Sequence, residues 1–147
     1  MSIIESVRTY IKEYAGLSEG APVWVAYLGA TAGQYDVLPV AGGKVIETYI
    51  NDTRLCEYPF AFRGMESTAD ELARLESYGL FEAFSEWLDQ QTMANELPEL
   101  DGGKTAEAIE ATGWGYLFQE GQSATGVYQI LCRLIYKENL NYDDSES

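Results

Sequence analysis

The stretch Gly126-Val-Tyr-Gln-Ile-Leu-Cys-Arg-Leu-Ile-Tyr-Lys137 decides the fold class of this chain. Successive side chains of a strand point to opposite faces of its sheet, and from Tyr128 onward every second residue is apolar. The alternation predicts one core face, formed by Tyr128, Ile130, Cys132, Leu134 and Tyr136. The opposite face mixes apolar and polar side chains, namely Val127, Gln129, Leu131, Arg133, Ile135 and Lys137. We expect that face to be half covered or to contact a partner chain.

A second segment with the same alternation runs from residue 54 to residue 65. Its predicted core face carries Cys56, Tyr58, Phe60 and Phe62. Pro59 lies in the opposite register and has no amide hydrogen to donate, so we expect an edge strand or a bulge there. Residues 113–118 are rich in aromatic side chains, and the flexible residues 120–124 separate them from the long strand. This order predicts a hairpin over residues 115–136.

The segments before residue 54 predict one helix followed by a meander of strands. Ser2 and Glu5 form a capping box, and Gly16 is typical of a helix C-terminus, so we expect the first helix between them. The apolar run 23–28 indicates a buried strand, and the small residues that follow it indicate a loop. The pair Gly42-Gly43 predicts a tight hairpin that joins the strands on either side of it.

The longest predicted helix covers residues 68–91 and opens with a capping box of Thr68 and Glu71. Leu72 and Leu75 lie on one side of it, and the later apolar side chains centre roughly 150° away. Because Gly79 sits between the two groups, we expect the helix to break or kink there. Residues 92–104 predict an exposed loop, residues 105–112 fit either a short helix or a strand, and residues 138–147 predict an acidic, frayed tail.

The composition is acidic, since 24 Asp and Glu against 9 Lys and Arg give a formal net charge of −15. Four of these acids lie in the last ten residues, so residues 1–137 still carry −11. Nucleic acids and anionic lipids are bound through clustered cations, and we expect neither as a partner. The length of 147 residues favours a single domain. The sequence shows no membrane-spanning run and no signal peptide, which predicts a protein made in the cytoplasm.

The sequence also disfavours most catalytic chemistry. It contains no histidine, which removes the usual general base, the triads built on it and the commonest metal ligand. The run Gly103-Lys104-Thr105 resembles the end of a phosphate-binding loop, but Pro98 stands where that motif needs a glycine. Cys56 and Cys132 fall on predicted core faces and are expected to be free, buried thiols. We therefore expect no enzyme activity, no cofactor and no metal.

The order of motifs in the second half resembles a known protein family. An aromatic helix ending in Phe84-Ser-Glu-Trp87-Leu88-Asp-Gln-Gln91 precedes Leu97-Pro98-Glu-Leu100, Gly115-Tyr-Leu117, Tyr128-Gln-Ile130, Cys132-Arg-Leu134 and Tyr136. This series resembles the minor capsid or tail terminator family of long-tailed bacteriophages and prophages of Gram-positive bacteria, over residues 54–137. The first half matches only in its order of helix and then strands.

The resemblance implies a small structural subunit whose copies form a ring, six of them in the tail terminators. Such a ring caps the tail tube and presents a surface to the head-completion proteins, so the protein would belong to the virion, at the tail or the head-tail interface, after assembly in the bacterial cytoplasm. The family implies no active site. A negatively charged lumen would let DNA pass without sticking.

We therefore expect an α+β fold, with an N-terminal helix and a long middle helix packed on one face of a mostly antiparallel sheet. One domain would cover residues 1–137. The expected subunit contacts are Gln129, Leu131, Arg133, Met93, Leu97, Gly29 and Gly33. Two alternatives stay open. One is a small-molecule-binding domain with tyrosines and carboxylates in a concave pocket, and the other is an adaptor for a host protein.

Overall fold

Two 15-residue strands form the centre of the computed structural model, which describes residues 1–17 and 19–141. These strands are β4 (Thr53–Ser67) and β7 (Thr125–Asn139). They pair antiparallel over their whole length, from Thr53 opposite Asn139 to Ser67 opposite Thr125. The alternating residues 126–137 therefore form the predicted long strand, which is extended by one residue at its N-terminal end and by two at its C-terminal end.

Each long strand carries two shorter strands end to end along its other side. β4 pairs with β2 (Gln34–Pro39) and with β3 (Val45–Thr48), and β7 pairs with β5 (Lys104–Ala111) and β6 (Tyr116–Glu120). All these pairs are antiparallel, and the short β1 (Val23–Val25) adds a parallel pair at the edge of β2. The result is a mixed, mostly antiparallel sheet of seven strands in the described residues. The ambiguous segment after residue 104 is a strand, and β6 and β7 form the predicted hairpin.

The predicted hairpin at Gly42-Gly43 is wrong. β2 and β3 do not pair with each other, because both lie on the same side of β4, one beyond the other. The two glycines have positive φ angles of 111° and 53° and carry the chain across the gap between these strands. The hairpin partner of β3 is β4 itself, through the turn at Asn51-Asp52.

The prediction that Pro59 marks an edge strand or a bulge is also wrong, since β4 is central and pairs regularly with β7 there. Pro59 lies opposite the gap between β2, which ends at Pro39, and β3, which begins at Val45. The Pro59 carbonyl accepts from the amide of Val40 at 3.1 Å, so its backbone faces that gap. Proline is tolerated because no neighbouring strand needs its missing amide hydrogen.

The first helix, α1 (Ile3–Ile11), begins as predicted, with the Ser2 side chain accepting from the Glu5 amide. It ends earlier than predicted, since Lys12 and not Gly16 follows its last turn. Tyr14 lies in the turn beyond the helix, where its buried ring packs against Phe84 and Trp87. A side chain at Gly16 would come within 2.4 Å of the Tyr14 ring, so this glycine makes room for an aromatic ring and does not cap a helix.

The second helix, α2 (Glu71–Met93), is continuous, and the predicted break near Gly79 is wrong. Its N-cap is Asp70, whose side chain accepts from the Ala73 amide, so the predicted cap at Thr68 is wrong as well. One face buries Ser77, Phe81, Phe84 and Leu88. Leu72 and Leu75 belong to no second packed surface and are simply exposed, at 66% and 62%. The helix tolerates its central glycine, which costs about 1 kcal/mol, because packing holds the turns after it.

Both helices pack on the same face of the sheet and enclose one core. The predicted core face of β7 is buried, and so are Cys56, Phe60 and Phe62 of β4, whereas Tyr58 is half-buried. Phe62 stacks between Tyr35 and Phe84, which joins strand and helix through aromatic rings. The two cysteines are free and buried. These observations confirm the α+β fold.

The segment after α2 is less exposed than predicted. Pro98 is buried, and Leu97 and Leu100 pack against the core. The Tyr10 hydroxyl also donates to the Glu96 carbonyl at 2.7 Å, which ties the segment to α1. At the other end, Glu138 and Asn139 of the predicted tail belong to β7, and residues 142–147 lie outside the described part. No helix among the described residues has the length and apolar character needed to cross a membrane.

Candidate assembly surfaces

The sheet face opposite the helices, called the outer face here, is built from the odd-numbered side chains of β4 and β7. Because the pairing of the long strands is regular, these side chains line up in rows that cross several strands. No helix of the described residues packs on this face. Gln129, Leu131 and Arg133, the contact residues expected on the long strand, all lie there, in three successive rows.

The first row is mostly polar, and four of its side chains form two pairs within the subunit. It runs from Trp24 through Asp36, Arg63 and Gln129 to Tyr116, one residue from each of five strands. Arg63 makes a two-pronged ion pair with Asp36, and its Nε donates to Asp36 Oδ1 at 2.8 Å. This hydrogen bond raises the pKa of Arg63 above its ordinary value. Gln129 Nε2 donates to the Tyr116 hydroxyl at 2.9 Å, so the Gln129 amide already has a partner in its own chain.

The second row is apolar and leaves one side chain open to solvent. It aligns Leu38, Ala61 and Leu131 on β2, β4 and β7. Ala61 is buried, whereas Leu131 is 36% exposed and its backbone carbonyl accepts from Thr112. Leu131 therefore exposes apolar surface in the middle of the outer face, and no helix of the described residues covers it.

The third row is charged and aligns Pro59, Arg133 and Glu110. Arg133 Nε donates to Glu110 Oε1 at 2.7 Å, and its guanidinium also lies 3.4 Å from Glu57. The bond to Glu110 is the main cause of the raised pKa of Arg133. Arg133 therefore has two carboxylate partners inside its own subunit, and a partner chain would compete with them for it.

The other expected contact residues are spread over the molecule. Met93, the last residue of α2, is 87% exposed, whereas Leu97 packs against the core. Gly33 has a φ of 84°, and its amide donates to the Met65 carbonyl at the end of β4. Gly29 lies against the side chain of Gln34, which leaves no room for a Cβ. The structure thus unites only the three β7 residues in one surface.

Two strand edges are a feature that the sequence analysis missed. β3 packs against β4 and β6 packs against β7, and neither packs closely against a helix in the described chain. Exposed apolar side chains cluster at both edges: Val45, Ile46 and Ile50 at β3, and Trp114, Tyr116 and Phe118 at β6. The sequence contains β-branched and aromatic residues in both segments, but only the strand pairing shows that these segments lie at the edges of the sheet.

One cavity bears on the small-molecule alternative. It has a volume of about 370 Å³ and lies between α1 and residues 97–101. Its lining includes Tyr10, Glu13, Glu99 and Asp101. Asp101 also contacts the N-terminal ammonium at 2.9 Å, and Tyr10 donates to a backbone carbonyl. Within the described ranges, no group of three or more acidic or cysteine side chains is arranged to hold a metal ion.

The chain matches no protein-family model and no curated protein sequence.

Proposed function

We propose that this chain is a structural subunit of a bacteriophage or prophage, a tail terminator or a closely related head-tail joining protein. Copies of it would assemble into a ring, hexameric as the resemblance implies, that caps the tail tube and meets the head-completion proteins. The subunit would act by assembly and without chemistry. The observation that carries the proposal is the outer face, where Leu131 remains exposed on the side of the sheet that both helices leave uncovered.

The arrangement of the outer face supports an assembly role because polar groups of its first row are already paired, although the nearby Gln34 Oε1 is buried with no hydrogen-bond partner among the described residues. Asp36 with Arg63, and Gln129 with Tyr116, form their hydrogen bonds inside the subunit. A partner could therefore cover the apolar parts without leaving these groups unpaired, which would otherwise cost about 1–3 kcal/mol each. Interfaces between subunits commonly combine such an apolar centre with satisfied polar groups.

The fold also agrees with what the family resemblance implies. That resemblance calls for a small α+β subunit, and the chain has two helices on one face of a mostly antiparallel sheet. The motifs that carry it fall on α2, on the segment that follows it and on the hairpin of β6 and β7. The acidic surface would suit a ring through which DNA passes.

The decisive experiment is deletion of the gene from an inducible prophage, followed by electron microscopy of the lysate. We expect tails of irregular length and heads without joined tails, and restoration by the wild-type gene. Normal joined virions from the deletion strain would overturn the proposal. The purified protein should also form an oligomer at micromolar concentration by light scattering, and a monomer at every concentration would count against a ring.

A pair of matched variants tests the outer face itself. Leu131→Asp should weaken self-association, because it places a carboxylate at the apolar centre of that face. Leu72→Asp makes the same change on the exposed side of α2 and should leave association unchanged. Both leucines are exposed, so both variants should fold, which circular dichroism would verify. Equal behaviour of the two variants would remove the outer face from the interface.

A small-molecule-binding domain is the second candidate, favoured by the cavity between α1 and residues 97–101. Its acidic lining would select a cationic metabolite. The two candidates differ in oligomeric state and in ligand response. A strict monomer that a metabolite stabilises in a thermal-shift screen would favour this candidate, whereas a stable complex with one host protein would indicate an adaptor.

A further inference from the structure

We propose that neighbouring subunits join through their strand edges, with β3 of one copy pairing antiparallel with β6 of the next. This inference rests on the proposed function and adds the strand edges to the outer face as a second surface through which copies of the subunit would meet. It concerns the second copy of this chain as the partner, and the sheet would continue from one subunit into the next.

The four lateral edges of the sheet differ in how they are covered. α1 packs against β1, and α2 packs against β5. At β5, the Thr92 side chain of α2 donates to the Ile109 carbonyl at 2.8 Å and accepts from the Ile109 amide at 3.1 Å. These groups are therefore occupied by a helix side chain. β3 and β6 are the two edges without such cover in the described chain.

The two uncovered edges are mainly apolar, although β3 also exposes Glu47 and each edge strand has one bulge against its partner strand. Edge strands that stay single are commonly protected by charge, proline or cover. All four residues of β3 are exposed, among them Val45 and Ile46, and Ile50 follows in the turn. β6 exposes Tyr116 and Phe118, and Trp114 precedes it with 73% of its surface exposed. Each edge thus offers backbone for pairing together with apolar side chains that burial would favour.

Strand direction makes the two edges complementary. β3 is antiparallel to β4, β4 is antiparallel to β7, and β7 is antiparallel to β6. β3 and β6 therefore run in opposite directions on opposite sides of one subunit. A second copy in the same orientation presents its β3 antiparallel to the β6 of the first. Lys44, just before β3, would then approach Glu120 at the end of β6, which pairs opposite charges.

Head-to-tail pairing also accounts for both edges with a single kind of contact. A two-fold contact of β3 with β3, or of β6 with β6, would leave the other edge uncovered on every copy. Pairing of β3 with β6 covers both edges and repeats from copy to copy, and it closes when the rotation between copies completes a ring. The two edges lie about nine residues apart along the long strands, so successive copies would be offset by about 30 Å along the strand direction. The strands of a closed ring would then be inclined to its axis, as they are in closed barrels.

Cysteine cross-linking tests this pairing in the full chain. Ile46→Cys and Phe118→Cys would be combined in one variant, oxidised mildly and analysed on a non-reducing gel. The native thiols do not interfere, because Cys56 and Cys132 are buried. We expect a ladder of cross-linked species from the double variant and no cross-linked dimer from either single variant. A dimer from one single variant would instead show a two-fold contact and overturn the proposal.

Matched charge variants separate this proposal from the proposed function. Ile46→Lys and Phe118→Lys should each weaken self-association by about tenfold or more, whereas Leu72→Lys, on α2, should not. An oligomer that survives both edge variants and gives no ladder would refute edge pairing and leave the ring itself standing. A wild-type protein that is monomeric at all concentrations would refute both proposals.

Discussion

Replacement of Phe62 by alanine should remove a large part of the stability of the fold. Phe62 is fully buried on the core face of β4 and joins the sheet to α2. Its ring centroid lies 4.3 Å from that of Phe84, 5.4 Å from that of Phe81 and 5.7 Å from that of Tyr35. The variant would therefore lose three aromatic contacts and leave a cavity between strand and helix.

The expected cost follows from the contacts. Phe→Ala changes in protein cores cost about 3–5 kcal/mol, and three aromatic neighbours place this site in the upper half of that range. Domains of this kind are stable by about 5–15 kcal/mol, so the loss would be a large share of the total. With a typical urea dependence of about 2 kcal/mol per molar, the unfolding midpoint should fall by about 2 M.

Urea unfolding followed by circular dichroism would measure this change. Leu75→Ala is the control, since Leu75 is exposed on α2, outside every proposed contact surface, and its loss should cost less than about 0.5 kcal/mol. A loss below about 1.5 kcal/mol for Phe62→Ala, at an unchanged urea dependence, would refute the argument. It would mean that Phe62 does not join the sheet to α2 as the structure has it.

Three further changes test other parts of the chain. Gly64→Ala should destabilise the fold by about 1–3 kcal/mol, since its new methyl would lie 2.8 Å from the buried Tyr35 ring. Chemical denaturation would measure this loss, and an unchanged stability would mean that the ring can move aside. Burial raises the pKa of Glu66, so the folded protein binds this proton more tightly than the unfolded chain and stability falls as pH rises through the folded pKa. Glu66→Gln should therefore be more stable than wild type at pH 7 and lose this advantage toward pH 4, and a constant difference across that range would contradict the assignment. Arg133→Glu should lower the free energy of unfolding by about 1–2 kcal/mol, because it places a third carboxylate beside those of Glu57 and Glu110. Arg133→Met should cost less.

Much of the fold was predictable because local pattern and tertiary packing agree. The alternation from Tyr128 to Tyr136 specifies one buried face, and a strand buried on one face cannot shift register without exposing it. Ser2 caps α1 as the capping box predicts, because that signal needs only neighbouring residues. The buried face of α2 also followed from the later apolar residues of that helix.

The wrong predictions concern positions where residues distant in the sequence determine the local structure. Gly79 lowers helix propensity, but the buried contacts of Phe81 and Phe84 keep α2 continuous. Pro59 is acceptable in a central strand because β2 and β3 leave a gap beside it, and no local pattern shows a gap between two other strands. Propensity is a weak prior, and tertiary context overrides it at these positions.

The candidate surface was predictable only in part, for the same reason. The mixed face of β7 was evident, but the partners of its side chains were not. Arg133 was expected to contact a neighbouring subunit, and the structure gives it two carboxylates of its own chain. Those partners sit on β4 and β5, so only the strand order reveals them. The uncovered edges at β3 and β6 depend on the strand order in the same way.

The salt dependence of assembly can distinguish apolar contacts from charged ones. Each copy carries a formal net charge of −15, so copies repel one another at low ionic strength. If the joining surfaces are apolar, as Leu131 and the β3 and β6 edges indicate, salt should screen the repulsion and strengthen association. If Arg133 instead bound a carboxylate of the next copy, salt should weaken association. Sedimentation between about 0.05 and 0.5 M sodium chloride, where the screening length falls from about 14 to about 4 Å, separates the two cases. Dissociation on adding salt would refute the apolar interface.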